Sequence, residues 1–162
     1  SALAFRNTRG APASRAERAY IGLGNNTPIG DPARVSGVRA ADPNLAIDCA
    51  WGLDEWNRPI AATELLAARR LVGGESSIIT GDAFTDRQLR ERGDLSSYRI
   101  IHFATHGLVT PPRPSCPTRP ALLTSFDVED SDGLLSFDEI FDMRIDADLV
   151  ILSACDTAGQ AS

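Results

Sequence analysis

Two reactive side chains each follow a mostly apolar segment. His106 comes directly after the segment 99–105, and Cys155 comes directly after the segment 149–154. A thiol beside an imidazole can act as a nucleophile, with the histidine managing the protons. A cysteine or histidine at the end of a strand can equally be structural, and only proximity in space would make the pair a site. The residue types therefore predict a candidate cysteine–histidine dyad if the two segments are neighbouring strands.

Gly107 follows the candidate histidine directly. Because glycine has no Cβ, a substrate carbonyl could approach the backbone N–H at this position. The N–H groups of Gly107 and Cys155 are therefore predicted to form an oxyanion hole. This chemistry requires no cofactor. No metal site is predicted, because Cys49 and Cys116 have no partner at metal-ligand spacing.

Short apolar segments alternate with helix-forming segments along the chain. Strands are predicted at 19–24, 77–80, 99–105 and 149–154, an extended segment at 121–126, and helices at 60–72, 85–93 and 136–143. This order predicts an α/β fold with a mainly parallel sheet and helices on both faces. In such sheets, sites form at the carboxyl ends of the strands. The strands before His106 and Cys155 are therefore expected to be adjacent and parallel.

Composition narrows the class of protein. The 162 residues suit one domain, and the net charge of −6 argues against nucleic-acid or anionic-membrane partners. No apolar run is long enough to span a bilayer. The odd, sparse set of three cysteines predicts reduced thiols and a cytoplasmic location. Residues 1–18 are interpreted as a leader or linker, and residues 19–162 as the domain.

Two segments resemble a known family. The residues His102-Phe103-Ala104-Thr105-His106-Gly107 and Leu152-Ser153-Ala154-Cys155-Asp156-Thr157-Ala158 are similar to the two signature segments of CHAT domains. These are caspase-like domains, mostly bacterial, that are usually found beside tetratricopeptide repeats. The similarity runs from about Tyr20 to the C-terminus. The resemblance implies a three-layer caspase-like fold and membership of a clan of cysteine endopeptidases.

The resemblance also implies roles for single residues. His106 would be the catalytic histidine and Cys155 the nucleophile. Ser153 would line the pocket for the residue before the cut, and Asn25 or Asn26 would lie near the same rim. Asn25 and Asn26 could equally be ordinary turn residues. The implied partners are a protein or peptide substrate and a regulatory repeat domain.

The C-terminal end of the sequence and one insertion depart from the family pattern. A caspase-like sheet normally continues beyond the nucleophile, whereas this sequence stops at Ser162. We therefore expect the fold to be incomplete at the C-terminus, a downstream segment to complete it, and the isolated chain to be weakly active or inactive. The segment 25–57, rich in Asn, Pro, Gly and Asp, is expected to be a long loop of unassigned role.

Other functions fit part of the sequence. The main alternative is a non-catalytic caspase-like interaction domain that keeps the signature residues. The segment 128–139 resembles a calcium loop, but Val128 occupies the first ligand position, so an acidic turn before a capped helix is favoured. The glycines of Gly22-Leu23-Gly24 are a weak match to a dinucleotide-binding fingerprint. His102, inside a strand, is predicted to be a core histidine with a hydrogen-bond partner.

Overall fold

A computed structural model describes residues 3–5, 12–30, 49, 51–109, 111, 113–126 and 131–154. Within these ranges the strands are β1 (Leu3–Phe5), β2 (Arg18–Gly24), β3 (Ser76–Ile79), β4 (Tyr98–Ala104), β5 (Gly107–Leu108), β6 (Ala121–Leu123), β7 (Leu134–Ser136) and β8 (Leu149–Ser153). The helices are α1 (Thr63–Val72), α2 (Asp86–Glu91) and α3 (Phe137–Asp142).

The larger sheet has the strand order β1-β8-β4-β2-β3. The strands β8, β4, β2 and β3 are parallel to their neighbours, and β1 pairs antiparallel with β8 at the edge. The mainly parallel α/β fold is therefore confirmed. Strand β1 was not predicted, because its three residues fall in a segment interpreted as a leader.

Helices cover both faces of the larger sheet. On one face, Ile21 and Phe103 are buried in a core with Leu89 of α2, and Ile140 of α3 packs against this core. On the opposite face lies α1, whose Leu65 is fully buried. The side chains of each strand alternate between these two layers, as the pleat of a strand requires.

A glycine allows α1 to approach the sheet closely. A Cβ at Gly22 would lie 2.9 Å from the Tyr20 hydroxyl oxygen and 3.2 Å from the Cβ of Leu65. A side chain at this position would push α1 away from β2. Packing of a helix on a strand therefore explains this glycine.

The helix boundaries follow the predicted capping signals. The Thr85 side chain accepts a hydrogen bond from the N–H of Gln88 at the start of α2. Ser136 and Glu139 form a complete capping box at the start of α3. Helix α1 ends at Gly73, whose φ of 65° is in the left-handed region. Local sequence signals thus set the starts of α2 and α3 and the end of α1.

A second, antiparallel sheet was not predicted in full. Its order is β5-β6-β7, with three residues or fewer in each strand. Only β6 falls in a segment that was predicted to be extended. Trp56, Leu108 and Leu123 form a second buried cluster beside this sheet. Strands this short leave almost no periodicity in the sequence, because alternation needs at least four residues to be visible.

The expectation of reduced thiols is wrong for two of the three cysteines. Cys49 and Cys116, 67 residues apart, form a disulfide with a Cα–Cα distance of 5.5 Å. The prediction failed because it was based on the number and spacing of cysteines, whereas the fold brings two distant loops together. Cys155, which lies outside the described residues, has no further cysteine in this chain to pair with.

No helix within the described ranges is long and apolar enough to cross a membrane.

Candidate active site

His106 lies just beyond the carboxyl end of β4, where the chain passes into β5. Its backbone oxygen accepts a hydrogen bond from the N–H of Leu123, at 2.9 Å. The hydroxyl of the preceding Thr105 donates to the Leu123 oxygen, at 2.6 Å. His106 is only 8% exposed. Strand β6 therefore fixes the backbone that carries the imidazole.

The imidazole of His106 is held by a backbone carbonyl. Its Nε2 lies 2.7 Å from the oxygen of Arg58. Because a carbonyl oxygen can only accept, Nε2 must carry the hydrogen. In the neutral ring, Nδ1 is then the nitrogen with the available lone pair. This nitrogen can take up or deliver a proton without breaking the bond that holds the ring.

A carboxylate faces the other ring nitrogen. Oε2 of Glu55 lies 4.0 Å from Nδ1 of His106. Both atoms are buried, and neither has a hydrogen-bond partner among the described residues. Oε1 of the same carboxylate pairs with the guanidinium of Arg58, at 2.9 Å. The carboxylate of Glu55 therefore places a negative charge close to Nδ1.

The strands that precede His106 and Cys155 are neighbours. Strands β4 and β8 pair in parallel, and Ala104 lies opposite Ser153 in the register. In the sequence, His106 and Cys155 each come two residues after this pair. The predicted adjacency of the two strands is confirmed. Cys155 itself is outside the described residues, and the dyad stays a prediction.

A chain of hydrogen bonds, buried at Tyr20 and His102 and exposed at Glu64, runs from β2 through β4 to β8. Nδ1 of His102 lies 3.0 Å from the Tyr20 hydroxyl, and Nε2 lies 3.1 Å from the Ser153 hydroxyl. Ser153 donates to Oε1 of Glu64, at 2.6 Å. The Ser153 oxygen is therefore the acceptor for His102 Nε2–H, and Tyr20 donates to Nδ1. The prediction that His102 is a hydrogen-bonded core histidine is confirmed.

Burial shifts both ionisable groups at the centre of this chain. It lowers the pKa of His102, and the nearby Glu64 carboxylate opposes that shift. Burial, helped by Glu64, raises the pKa of Tyr20 to about 12. Each shift favours the neutral form of the group. The hydroxyl of Ser153 is used in this network, and its role in a substrate pocket stays a prediction.

Asn25 and Asn26 lie at the carboxyl end of β2 and bind the loop before α1. The side-chain amide of Asn25 donates to the Ile60 oxygen, at 2.9 Å. The amide of Asn26 donates to the Trp56 oxygen, also at 2.9 Å. Asn25 has a φ of 52°, as turn residues often do. Their proposed contact with substrate is untested, whereas their contact with this loop is direct.

Gly107 is buried and begins β5, where it lies opposite Leu122 of β6. This position is next to the imidazole, as an oxyanion-hole residue requires. The part of its N–H in an oxyanion hole stays a prediction.

The acidic turn before α3 is tied to α2. The Ser131 hydroxyl donates to Asp86, and Arg90 pairs with both Asp86 and Glu139, each at 3.2 Å. Burial raises the pKa of Asp86, with Ser131 and Arg90 opposing. Val128, at the first position of the calcium-like pattern, is outside the described residues. Within the part of the chain that the structure describes, no group of acidic, histidine or cysteine side chains could hold a metal ion.

No residue pattern in the sequence indicated the groups around the imidazole. The Arg58 oxygen is a backbone atom, so no residue type marks it. Glu55 and Trp56 lie in a segment without periodicity. Arg58 precedes Pro59, which restricts its backbone and is the one local feature that could have drawn attention.

The mainly parallel α/β fold is consistent with that of a caspase-like domain. The model of the CHAT domain family matches residues 1–162, which is the whole sequence, and the chain belongs to this family. Comparisons with curated proteins and with solved structures returned no significant match.

Proposed function

We propose that the chain is a cysteine endopeptidase that hydrolyses peptide bonds through Cys155 and His106. The observation that carries this proposal is the parallel pairing of β4 and β8, with Ala104 opposite Ser153. Two strands in this register direct the residues that follow them to the same edge of the sheet. The carboxyl edge of a parallel sheet is where sites form in α/β folds.

The geometry around His106 supports different roles for its two ring nitrogens, one for holding the ring and one for proton transfer. Nε2 is committed to the Arg58 oxygen, so Nδ1 is the nitrogen that exchanges protons. In the proposed reaction, the Cys155 thiolate attacks the scissile carbonyl carbon, and the oxyanion is stabilised by the N–H groups of Gly107 and Cys155. The protonated His106 then gives its proton to the leaving amine. The acyl-enzyme is hydrolysed by a water that His106 deprotonates.

Mutation of the dyad tests the proposal. We expect Cys155→Ala and His106→Ala each to lower kcat/KM at least about a thousandfold, and the double variant to be barely worse, because the two groups act as a unit. The measurement is cleavage of a peptide library by the purified full-length protein, because the isolated chain is expected to be weakly active or inactive. Thr157→Ala is the control, since this neighbouring hydroxyl has no role in the reaction. Near-normal cleavage by Cys155→Ala would refute the assignment.

Thiol reactivity separates the peptidase from a non-catalytic interaction domain. Because Cys49 and Cys116 are joined, an alkylating reagent should label one thiol per chain without reduction. In a peptidase the labelling rate should depend on His106, since the imidazole favours the thiolate. A slow rate that is unchanged by His106→Ala would support the interaction domain instead.

The disulfide also bears on where the protein acts. The expected cytoplasmic location was based on reduced cysteines. The disulfide between Cys49 and Cys116 removes that basis. Disulfides persist mainly in oxidising compartments, so we propose that the chain acts in one. Mass spectrometry of the alkylated, unreduced protein from each cell fraction tests this. Protein found only in the cytoplasm with three labelled cysteines would restore the first expectation.

A further inference from the structure

We propose that Asn26 is a positioning residue for the catalytic imidazole, acting through the backbone of the segment Trp56–Ile60. This inference rests on the proposed function, because it takes His106 as the proton-transferring group. It assigns to Asn26 the task of fixing the carbonyl that selects the tautomer of His106.

The amides of Asn25 and Asn26 bind this segment on both sides of the carbonyl that holds the histidine. Asn26 binds the oxygen of Trp56, two residues before Arg58, and Asn25 binds the oxygen of Ile60, two residues after it. The Arg58 oxygen between them accepts from Nε2 of His106. The three bonds, at 2.9, 2.9 and 2.7 Å, therefore link the end of β2 to the imidazole.

The segment needs such support because its own hydrogen bonds are few and long. Residues 53–57 form turns, in which the N–H groups of Trp56, Asn57 and Arg58 bind the backbone oxygens three residues before them, at 3.2, 3.2 and 3.3 Å, and within the described ranges no bond of this kind holds Pro59 or Ile60. Turns hold a backbone less firmly than a helix or sheet does. Pro59 limits the backbone angles of Arg58 but cannot set the position of its carbonyl. Side-chain amides supply the missing constraint.

The side chain of Trp56 attaches the same segment to the residue that follows β6. Its side chain is fully buried, and its indole N–H donates to the oxygen of Thr124, at 3.1 Å. The adjacent Leu123 binds the backbone of His106. The histidine and the segment that orients it are therefore both attached to the end of β6. Asn26, which follows β2, connects the segment Trp56–Ile60 to the larger sheet through its bond to the Trp56 oxygen.

Burial makes the Asn26 amide hard to replace. The residue is 2% exposed, so water cannot readily take the place of its N–H. In Asn26→Asp, studied at a pH at which the new carboxyl is ionised, an oxygen replaces the donor and faces the Trp56 oxygen, and two acceptors in contact repel each other. The segment should shift, Nε2–H of His106 should lose its acceptor, and the Nδ1–H tautomer should become populated.

The test is Asn26→Asp in the purified protein, with Asn57→Asp as the matched control. Asn57 lies in the same segment, is exposed, and uses its side-chain oxygen as an acceptor for the N–H of Ile29, at 2.9 Å. An aspartate keeps that acceptor. We expect Asn26→Asp to lower kcat about ten- to hundredfold with little change in KM, because misplacement of a catalytic group by about 1 Å can cost that much. We expect Asn57→Asp to leave kcat unchanged.

The tautomer of His106 gives a readout that does not depend on cleavage. Nitrogen chemical shifts of the imidazole should report the Nε2–H form in the parent protein and in Asn57→Asp, and a mixture in Asn26→Asp. If Asn26→Asp does not fold, Asn26→Ala decides, because it removes the amide that binds the Trp56 oxygen without adding an acceptor. Here too a mixed tautomer and a lower kcat are expected.

The outcomes separate the two proposals. A folded Asn26→Asp protein with an unchanged tautomer and unchanged kcat overturns the positioning role, as does an unchanged Asn26→Ala protein where Asn26→Asp fails to fold. If Asn26→Asp changes the tautomer of His106 but the parent protein shows no Cys155-dependent cleavage, the positioning of the imidazole is supported and the peptidase is refuted.

Discussion

At the scale of single residues, His106 lies between a carbonyl that holds it and a carboxylate that can stabilise its charge. Oε2 of Glu55 is 4.0 Å from Nδ1, and a second oxygen of the same group is shared with Arg58. This arrangement keeps the negative charge close to the imidazole, and the lone pair of Nδ1 stays available because the carboxylate is too far away for a hydrogen bond. A thiol peptidase uses such an imidazolium to maintain its thiolate.

We expect Glu55→Gln to slow both cleavage and alkylation of Cys155 about tenfold. The substitution keeps the shape of the side chain and removes the charge that stabilises the imidazolium at a partly buried site. The control is Asp54→Asn, which removes a charge from the neighbouring, exposed position. Rates for Glu55→Gln that match those of Asp54→Asn would show that the carboxylate has no part in the dyad.

The other histidine should affect stability instead of catalysis. Burial lowers the pKa of His102, so the folded chain resists its protonation. Below the unfolded pKa of about 6.5 the unfolded state binds more protons, and the free energy of unfolding falls as pH drops through the folded pKa. We expect denaturant unfolding to show this loss as the pH falls below about 6.5.

A matched pair of substitutions isolates the contribution of His102. In His102→Gln the loss of stability over this pH range should be smaller than in the parent protein, whereas His106→Gln should retain it. If the pH dependence of unfolding is the same in all three proteins, the buried hydrogen-bond chain does not control it.

At the scale of elements, the disulfide ties the loop before α1 to the proline-rich loop after β5. These loops flank the cluster of Trp56, Leu108 and Leu123. The long segment 25–57, for which the sequence indicated no role, ends directly before Arg58, whose oxygen holds the histidine. Its described part therefore acts as a support for the site.

We expect the double variant Cys49→Ser with Cys116→Ser to be less stable by about 4 kcal/mol, since the closed loop spans 67 residues. The measurement is denaturant unfolding with and without a reductant. Reductant should destabilise the parent protein by a similar amount and leave the double variant unchanged. A parent protein that does not respond to complete reduction would contradict a stabilising role.

Elements also differ in how visible they are in the sequence. The helices after Thr85 and Ser136 were predictable because a cap and the N–H groups that it binds lie within three residues. The strands β5 and β7 were missed because two or three residues cannot show a period. They form only because β6 supplies partners from elsewhere in the chain.

At the scale of the whole molecule, the parallel sheet determines where the two signature segments meet. β4 and β8 lie side by side, although the chain between them passes through the second sheet and α3. Crossovers of this kind return each strand in the same direction, so the residues after the strands gather at one edge.

We expect an experimentally determined structure to place the Cys155 sulfur within about 8 Å of the His106 imidazole, allowing for the loose geometry of a resting site. The reason is the register, in which Ala104 lies opposite Ser153 two residues before each candidate. The Cys155→Ala protein should have the same strand order, with a loss of stability of about 1 kcal/mol. A sulfur on the opposite face of the sheet would rule out the dyad.

The sequence by itself determined the α/β class, the order of the main strands and the candidate pair of reactive residues. These follow from local periodicity, local caps and two short motifs, and each of these signals spans only a few residues. Only the tertiary structure decided what surrounds the imidazole. The Arg58 oxygen is 48 residues from His106, and the cysteines of the disulfide are 67 residues apart. Such contacts depend on how irregular loops close over the sheet, and a backbone carbonyl leaves no mark on the residue types that a sequence records.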